Sequence, residues 1–221
     1  MAHFGPRIEA VVTHGVHGLS AAEMDLMPKL SIVACIGAGF EQVDLAAARA
    51  RGIALSYGPH TNASTTADHD VALLLGIVRD LGALDRRLRQ GGWKHPSDDP
   101  PALSSHRLGL AGDPTVHLIA NASVLQALGP QGFLVNIGRG NLVGTAALIT
   151  ALKERRIAGA ALDVFEDEPQ VPPELLSLDN VLLTPHLGER SPQAREAMAT
   201  LLAQNPEAHF AGRPLPTPIP N

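Results

Sequence analysis

An arginine, a glutamate and a histidine each follow a short apolar run: Val135-Asn136-Ile137-Gly138-Arg139-Gly140, Leu162-Asp163-Val164-Phe165-Glu166-Asp167-Glu168-Pro169 and Leu183-Thr184-Pro185-His186-Leu187-Gly188. Delivered to the ends of neighbouring strands, these side chains would give one cleft a cationic anchor and a proton-transfer pair. Arg139 stands between two glycines, so its guanidinium fork could reach a planar carboxylate without steric obstruction. A carboxylate beside an imidazole favours the charged, proton-donating ring, and Glu168 is the acid this reading sets against His186. Each residue also has a plainer reading: a surface arginine in a turn, a solvated acid next to Glu166 and Asp167, a structural histidine. Asp163 differs because it interrupts the apolar run Ala160-Ala161-Leu162-Asp163-Val164-Phe165. Burying an unpaired charge is expensive, so a donor must meet it, either a ligand amide or a neighbouring backbone N–H.

The elements that must position these residues alternate strand and helix, as a parallel sheet requires. Strands are predicted over residues 8–12, 31–36 and 53–57, with helices over 21–28 and 44–52, the second closed by Gly52. A long helix from Thr65 to Leu81, continuing through Leu84 and Leu88, would bury Ala67, Val71, Leu74, Leu75, Val78 and Leu81, with Ser64 or Thr65 as N-cap. Residues 95–106 have the proline and serine content of a surface crossing. The strand Arg107 to Gly112 then runs straight into Asp113-Pro114-Thr115. Beyond it the alternation resumes: helix Ser123–Leu128, strand Phe133–Val135, helix Thr145–Arg156, strands Gly159–Phe165 and Val181–Leu183, and a final helix over 192–204. The segment Pro214 to Pro220 must be extended, since proline cannot continue a helix.

Gly37-Ala38-Gly39-Phe40-Glu41-Gln42 narrowly misses the dinucleotide fingerprint G-x-G-x-x-G, with Gln42 in place of the third glycine and no acid in the strand that follows. It reads as a tight turn, or as a backbone N–H cradle for a small anion such as a substrate carboxylate. His14-x-x-His17 lacks a third ligand at useful spacing, which leaves a metal-dependent hydrolase as a remote reading. A serine-hydrolase elbow and a triphosphatase loop do not occur. The 221 residues carry a net charge of -5 and only 3% aromatics, which argues against nucleic acid and anionic membrane as partners. No apolar run approaches a membrane span. The single cysteine, Cys35, in an apolar setting, fits a buried thiol in a reducing, cytoplasmic compartment.

Taken together, Gly37 to Asp44, Asn62-Ala63 with the helix through Arg79, Asn136 to Gly140, Leu162 to Pro169 and Pro185 to Gly188 resemble the D-isomer-specific 2-hydroxyacid dehydrogenases. The resemblance implies an α/β protein of two Rossmann-like or flavodoxin-like parallel-sheet domains: a substrate domain of residues 1–63 plus 189–221 and an NAD(P)-binding domain of residues 64–188. It implies hydride transfer between NAD or NADP and a small 2-oxo acid, giving a D-2-hydroxy acid. Arg139 would bind and polarise the oxo acid, His186 would protonate the oxyanion, and Glu168 would orient His186. The backbone of Gly37, Ala38 and Gly39 would hold the carboxylate, Asp163, Gly112 and Gly188 would serve the cofactor, and the long helix a homodimer.

The chain departs from that pattern at Gly144, at Glu189-Arg190 and above all at Gly112, where only the first glycine of the phosphate-binding turn is found. A first βαβ half needs about 30 residues, and none stand between Gly112 and Asp113. The expectation is a segment left out of this chain rather than a true deletion, with a further opening strand and helix before Met1. The competing reading is a non-catalytic remnant or dimerising scaffold that binds no cofactor.

Overall fold

The computed structural model describes residues 4–95, 99–103 and 118–220, which divide into two compact units, Met1–Thr65 with Glu189–Asn221 and Thr66–Gly188. Each is an α/β unit built on a parallel sheet, the architecture expected from the alternation of elements. The predicted strand 107–112 and the Gly112–Asp113 junction lie outside the described residues. Among the described residues no helix is long and apolar enough to cross a membrane.

In the first unit β1 (Ala10–His14), β2 (Ile32–Ile36) and β3 (Ala54–Ser56) pair in that order, in parallel. β2 is central, and its residues Ile32 to Cys35 are buried, as the unbroken apolar run demands. β1 begins two residues later than predicted and is not a buried strand: it is an edge whose Val12 points to solvent. Helix α1 (Ala21–Asp25) opens with a reciprocal capping box between Ser20 and Glu23, and α2 (Leu45–Ala50) with the Asp44 carboxylate accepting from Ala47 N at 2.8 Å. Met24, Met27, Leu30, Val33, Cys35 and Leu55 form the core beneath them.

The C-terminal helix, α8 (Pro192–Phe210), runs six residues past its predicted end, through Pro206. Buried Asn205 and Ala208 anchor this last part, Asn205 by exchanging hydrogen bonds with Thr217 (Nδ2 to Oγ1 2.9 Å, N to Oδ1 3.1 Å). The proline-rich tail is extended as predicted and pairs with β3, where Ile219 N donates to Leu55 O at 2.9 Å.

The second unit holds the helices α3 (Ala63–Val78, whose first turn belongs to the other unit), α4 (Leu81–Arg89), α5 (Ala122–Leu128), α6 (Thr145–Lys153) and α7 (Pro173–Leu176). Its strands β4 (Phe133–Asn136), β5 (Gly159–Leu162) and β6 (Val181–Leu183) are parallel in that order. The single long helix predicted from Thr65 is two helices, broken where Asp80 adopts a left-handed conformation (φ 52). It also begins before Ser64 and Thr65, so neither caps it. Of the predicted buried face, Val78 is buried and Leu74 half-buried, but Ala67, Val71, Leu75 and Leu81 are exposed, and Leu73, Gly76 and Ile77 are buried in their stead. Residues 71–78 are apolar all round, so periodicity could not choose the face. The choice is made by close approach to the sheet, since a Cβ at Gly76 would press on Leu182 and one at Gly159 on Ile77. The strand expected to reach Phe165 stops at Leu162, which leaves Asp163 in the loop beyond it.

Candidate active site

The three phrases singled out in the sequence emerge together from the C-terminal edge of the second unit's sheet. After β4, Asn136 folds back on its own loop: its Nδ2 donates to Arg139 O at 2.9 Å and its Oδ1 accepts from Gly138 N at 3.2 Å. This buried asparagine fixes the turn that presents Arg139, whose Nη1 donates to Gly138 O at 2.9 Å. Gly140 lies against the backbone of Phe165 and Glu166, so the arginine loop and the glutamate loop are packed main chain to main chain. No side chain larger than hydrogen fits between them.

Glu168 is held at both oxygens. Its Oε1 accepts from Phe165 N at 3.0 Å, and its Oε2 lies 2.6 Å from His186 Nδ1. The peptide bond that follows, Glu168–Pro169, is cis. His186 itself is left-handed (φ 53), and its N–H donates to Asp163 O at 2.8 Å. Asp163, 1% exposed, is the hub of this turn. Its Oδ1 accepts from Thr184 Oγ1 at 2.5 Å and Leu187 N at 3.0 Å, and its Oδ2 from Gly188 N at 2.8 Å. His69 Nε2, from α3, stands 3.3 Å from Oδ1 and 3.1 Å from the Thr184 hydroxyl. Burial alone would push the Asp163 carboxyl up, but the Thr184 hydroxyl, the two amides and His69 together hold it below the usual carboxylate range.

Asp163 meets the backbone N–H donors that the sequence allowed for it. Its two side-chain partners were missed. Thr184 stood in a quoted motif with no role assigned, and His69 carries no local signal, because its place beside Asp163 comes from how α3 lies on the sheet. Gly188 is needed where it stands, since a Cβ there would approach Asp163 Oδ2 to 3.0 Å.

In the first unit, Gly37 is left-handed (φ 77) and its carbonyl accepts from Gly58 N at 2.7 Å, which opens the Gly37-Ala38-Gly39 turn at the end of β2. His14 and His17 pack edge to face with ring centroids 6.4 Å apart, and among the described residues no group of three or more candidate ligands could hold a metal ion.

Residues 111–188 match the family described as D-isomer specific 2-hydroxyacid dehydrogenase, NAD binding domain. The hydroxyphenylpyruvate reductase of Plectranthus scutellarioides is 32% identical, with 96% of this chain and 85% of the relative covered. The chain belongs to the D-isomer-specific 2-hydroxyacid dehydrogenases. As a member of that family it is also similar to the glyoxylate reductase of Pyrococcus furiosus, at 33% identity over 95% of this chain and 82% of that one. Among solved structures it resembles the NADPH-dependent glyoxylate/hydroxypyruvate reductase of Sinorhizobium meliloti in complex with citrate, with a TM-score of 0.88 at 33% identity over 99% of this chain and 87% of that one.

The match to the plant reductase extends over 268 positions, against a chain of 221 residues. The relative therefore has residues inside the matched region with no counterpart in this dehydrogenase. The fit to a dinucleotide is correspondingly partial. Asp163 and Gly188, two of the three residues expected at the cofactor, stand in the loops after β5 and β6, whereas Gly112 lies outside the described residues and no G-x-G-x-x-G runs from it in the sequence.

Proposed function

We propose that this chain carries the acid–base machinery of a reductase that converts a small 2-oxo acid to a D-2-hydroxy acid with NADH or NADPH. The observation that supports this reading best is the 2.6 Å His186 Nδ1–Glu168 Oε2 pair on loops that adjoin Arg139. A carboxylate only accepts, so Nδ1 carries a proton and Nε2 is the nitrogen left to exchange one with substrate. The nicotinamide, when bound, supplies the hydride. His186 Nε2 delivers the proton to the developing alkoxide in reduction and takes it back in oxidation. Arg139 binds the oxo acid through its planar fork and stabilises negative charge as it develops. Glu168, fixed by Phe165 N, keeps the ring in one orientation through that exchange. The amides of Gly37, Ala38 and Gly39 hold the carboxylate. Asp163 and Gly188 act by fixing the His186 turn, and Gly112 is a remnant of the phosphate-binding turn.

Four exposed apolar side chains of α3 and α4, Val71, Leu75, Leu81 and Leu88, support a homodimer. A buried thiol suits a reducing, cytoplasmic compartment. The 268-position match to a 221-residue chain favours a second reading, in which the chain is a scaffold without cofactor affinity. Fluorescence titration with NADH and NADPH, followed by turnover of glyoxylate and hydroxypyruvate, separates the two. Cofactor binding with consumption of either acid supports the reductase, and failure of both cofactors to bind at millimolar concentration leaves the scaffold.

A further inference from the structure

Between α6, α7 and the loop that follows β5, the second unit holds a cavity of about 260 Å³. Its floor is the hydrophobic core: Leu148, Leu162, Val164 and Leu175 line it, and all four are buried. Gly140 and Phe165 stand in its wall, one from each of the loops that carry Arg139 and Glu168. Toward solvent the lining is completed by Glu166, Asp167 and Gln170, all exposed. No lysine, arginine or histidine lines the cavity, and among the described residues neither carboxylate is held by a hydrogen bond or an ion pair. An apolar floor favours a hydrocarbon body, by release of the water that would otherwise cover it. Two unpaired carboxylates on the exposed side favour a positive charge at the end of that body and repel a negative one. A volume just below that of pockets for drug-sized ligands limits the body to a single ring or a short chain.

We propose that this cavity is a binding site for a small primary amine with an apolar body, of the arylalkylamine class, and that its occupant braces the Arg139 and Glu168 loops from behind. Phe165 N–H is one of the two contacts that fix Glu168, at 3.0 Å from Oε1. A ligand packed on Phe165 therefore steadies the carboxylate that holds His186. Neither Arg139 nor His186 lines the cavity, so the site is separate from the one assigned to the 2-oxo acid. The inference stands whether or not the chain turns over such an acid.

Phenethylamine, phenethyl alcohol and phenylacetate carry the same ring with a positive, a neutral and a negative end, and methylamine carries the charge alone. Each is titrated into the full chain while the backbone amide resonances of Gly140, Thr145 and Phe165 are followed. Phenethylamine is expected to bind about fivefold more tightly than phenethyl alcohol, a modest factor because water and salt screen the exposed carboxylates. Phenylacetate should be weakest of the three, and methylamine without effect. Glu166→Gln combined with Asp167→Asn changes only exposed side chains and should bring phenethylamine down to the level of the alcohol. Val171→Trp, which fills the cavity from a half-buried position in its lining, should abolish binding of all three. Hydrogen exchange at the Phe165 amide should slow when phenethylamine is saturating. The site is overturned if none of the ligands moves these amides, if amine and acid bind equally, or if the preference for the amine survives the double variant. Amine binding that leaves exchange at Phe165 unchanged overturns the bracing.

Discussion

Replacing Asp163 by asparagine tests what holds the His186 turn in place. The carboxylate takes the Thr184 hydroxyl and Leu187 N on one oxygen and Gly188 N on the other. An amide offers one acceptor oxygen, so at least one donor must face an NH2 group. If the oxygen stays with Thr184 and Leu187, the buried Gly188 N–H loses its partner at about 1–3 kcal/mol, and the two retained bonds lose their ionic character. The expected loss is about 3 kcal/mol, a large part of the stability of a domain of this size. Asp163→Ala, which strands all the donors, should cost about 3–5 kcal/mol. Urea unfolding followed by circular dichroism measures the change, and hydrogen exchange at the Leu187 and Gly188 amides locates it. The sign in acid follows from the depressed carboxyl. Its stabilisation is present above the unfolded-state value of about 3.9 and is lost as pH falls through the lower folded value, so the parent should weaken in acid more steeply than Asp163→Asn. A change under about 0.5 kcal/mol with both amides still protected would refute the reasoning. That is the result expected if Asp163 served only as a ligand to nicotinamide.

Gly140→Ala forces a Cβ onto the backbone of Phe165 and Glu166, which cannot swing aside as a side chain would. A loss of about 2 kcal/mol is expected, together with disappearance of the downfield NMR signal of the His186–Glu168 proton, and an unchanged signal would contradict the packing described. The Cys35 thiol is pushed up to about 11, chiefly by burial and secondarily by the Glu41 carboxylate. At neutral pH its reaction with a disulfide reagent should be slower in the native chain than in urea by on the order of 100-fold, and rates within a factor of ten would show that the thiol is not sequestered. Leu75→Glu should convert a sedimenting dimer to monomer if the exposed apolar side chains of α3 form the subunit interface, and a parent chain that is already monomeric removes that role.

The pairing of Glu168 with His186 was more legible than what supports it. Arg139, Glu168 and His186 could be picked out because each follows an apolar run and is flanked by glycine or proline, a local signal. The α/β alternation was legible for the same reason, since periods and caps are written within a few residues. What sequence could not reach depends on long-range placement. His69 meets Asp163 only because α3 lies on β5 and β6, with Gly159 against Ile77 and Gly76 against Leu182. The burial of β1 was overestimated because an edge strand and a central strand share the same apolar pattern. The last helix was ended too early because proline usually stops one, and here Asn205 and its bonds to Thr217 hold the backbone on.

The left-handed backbone of His186 decides what holds its ring in place. A non-glycine residue in that region costs about 1 kcal/mol, a cost that asparagine or glycine largely avoids. The imidazole therefore stands at φ 53 against the backbone's own preference, and the groups that offset this are its partners there, Glu168 Oε2 at Nδ1 and the Asp163 carbonyl at its N–H.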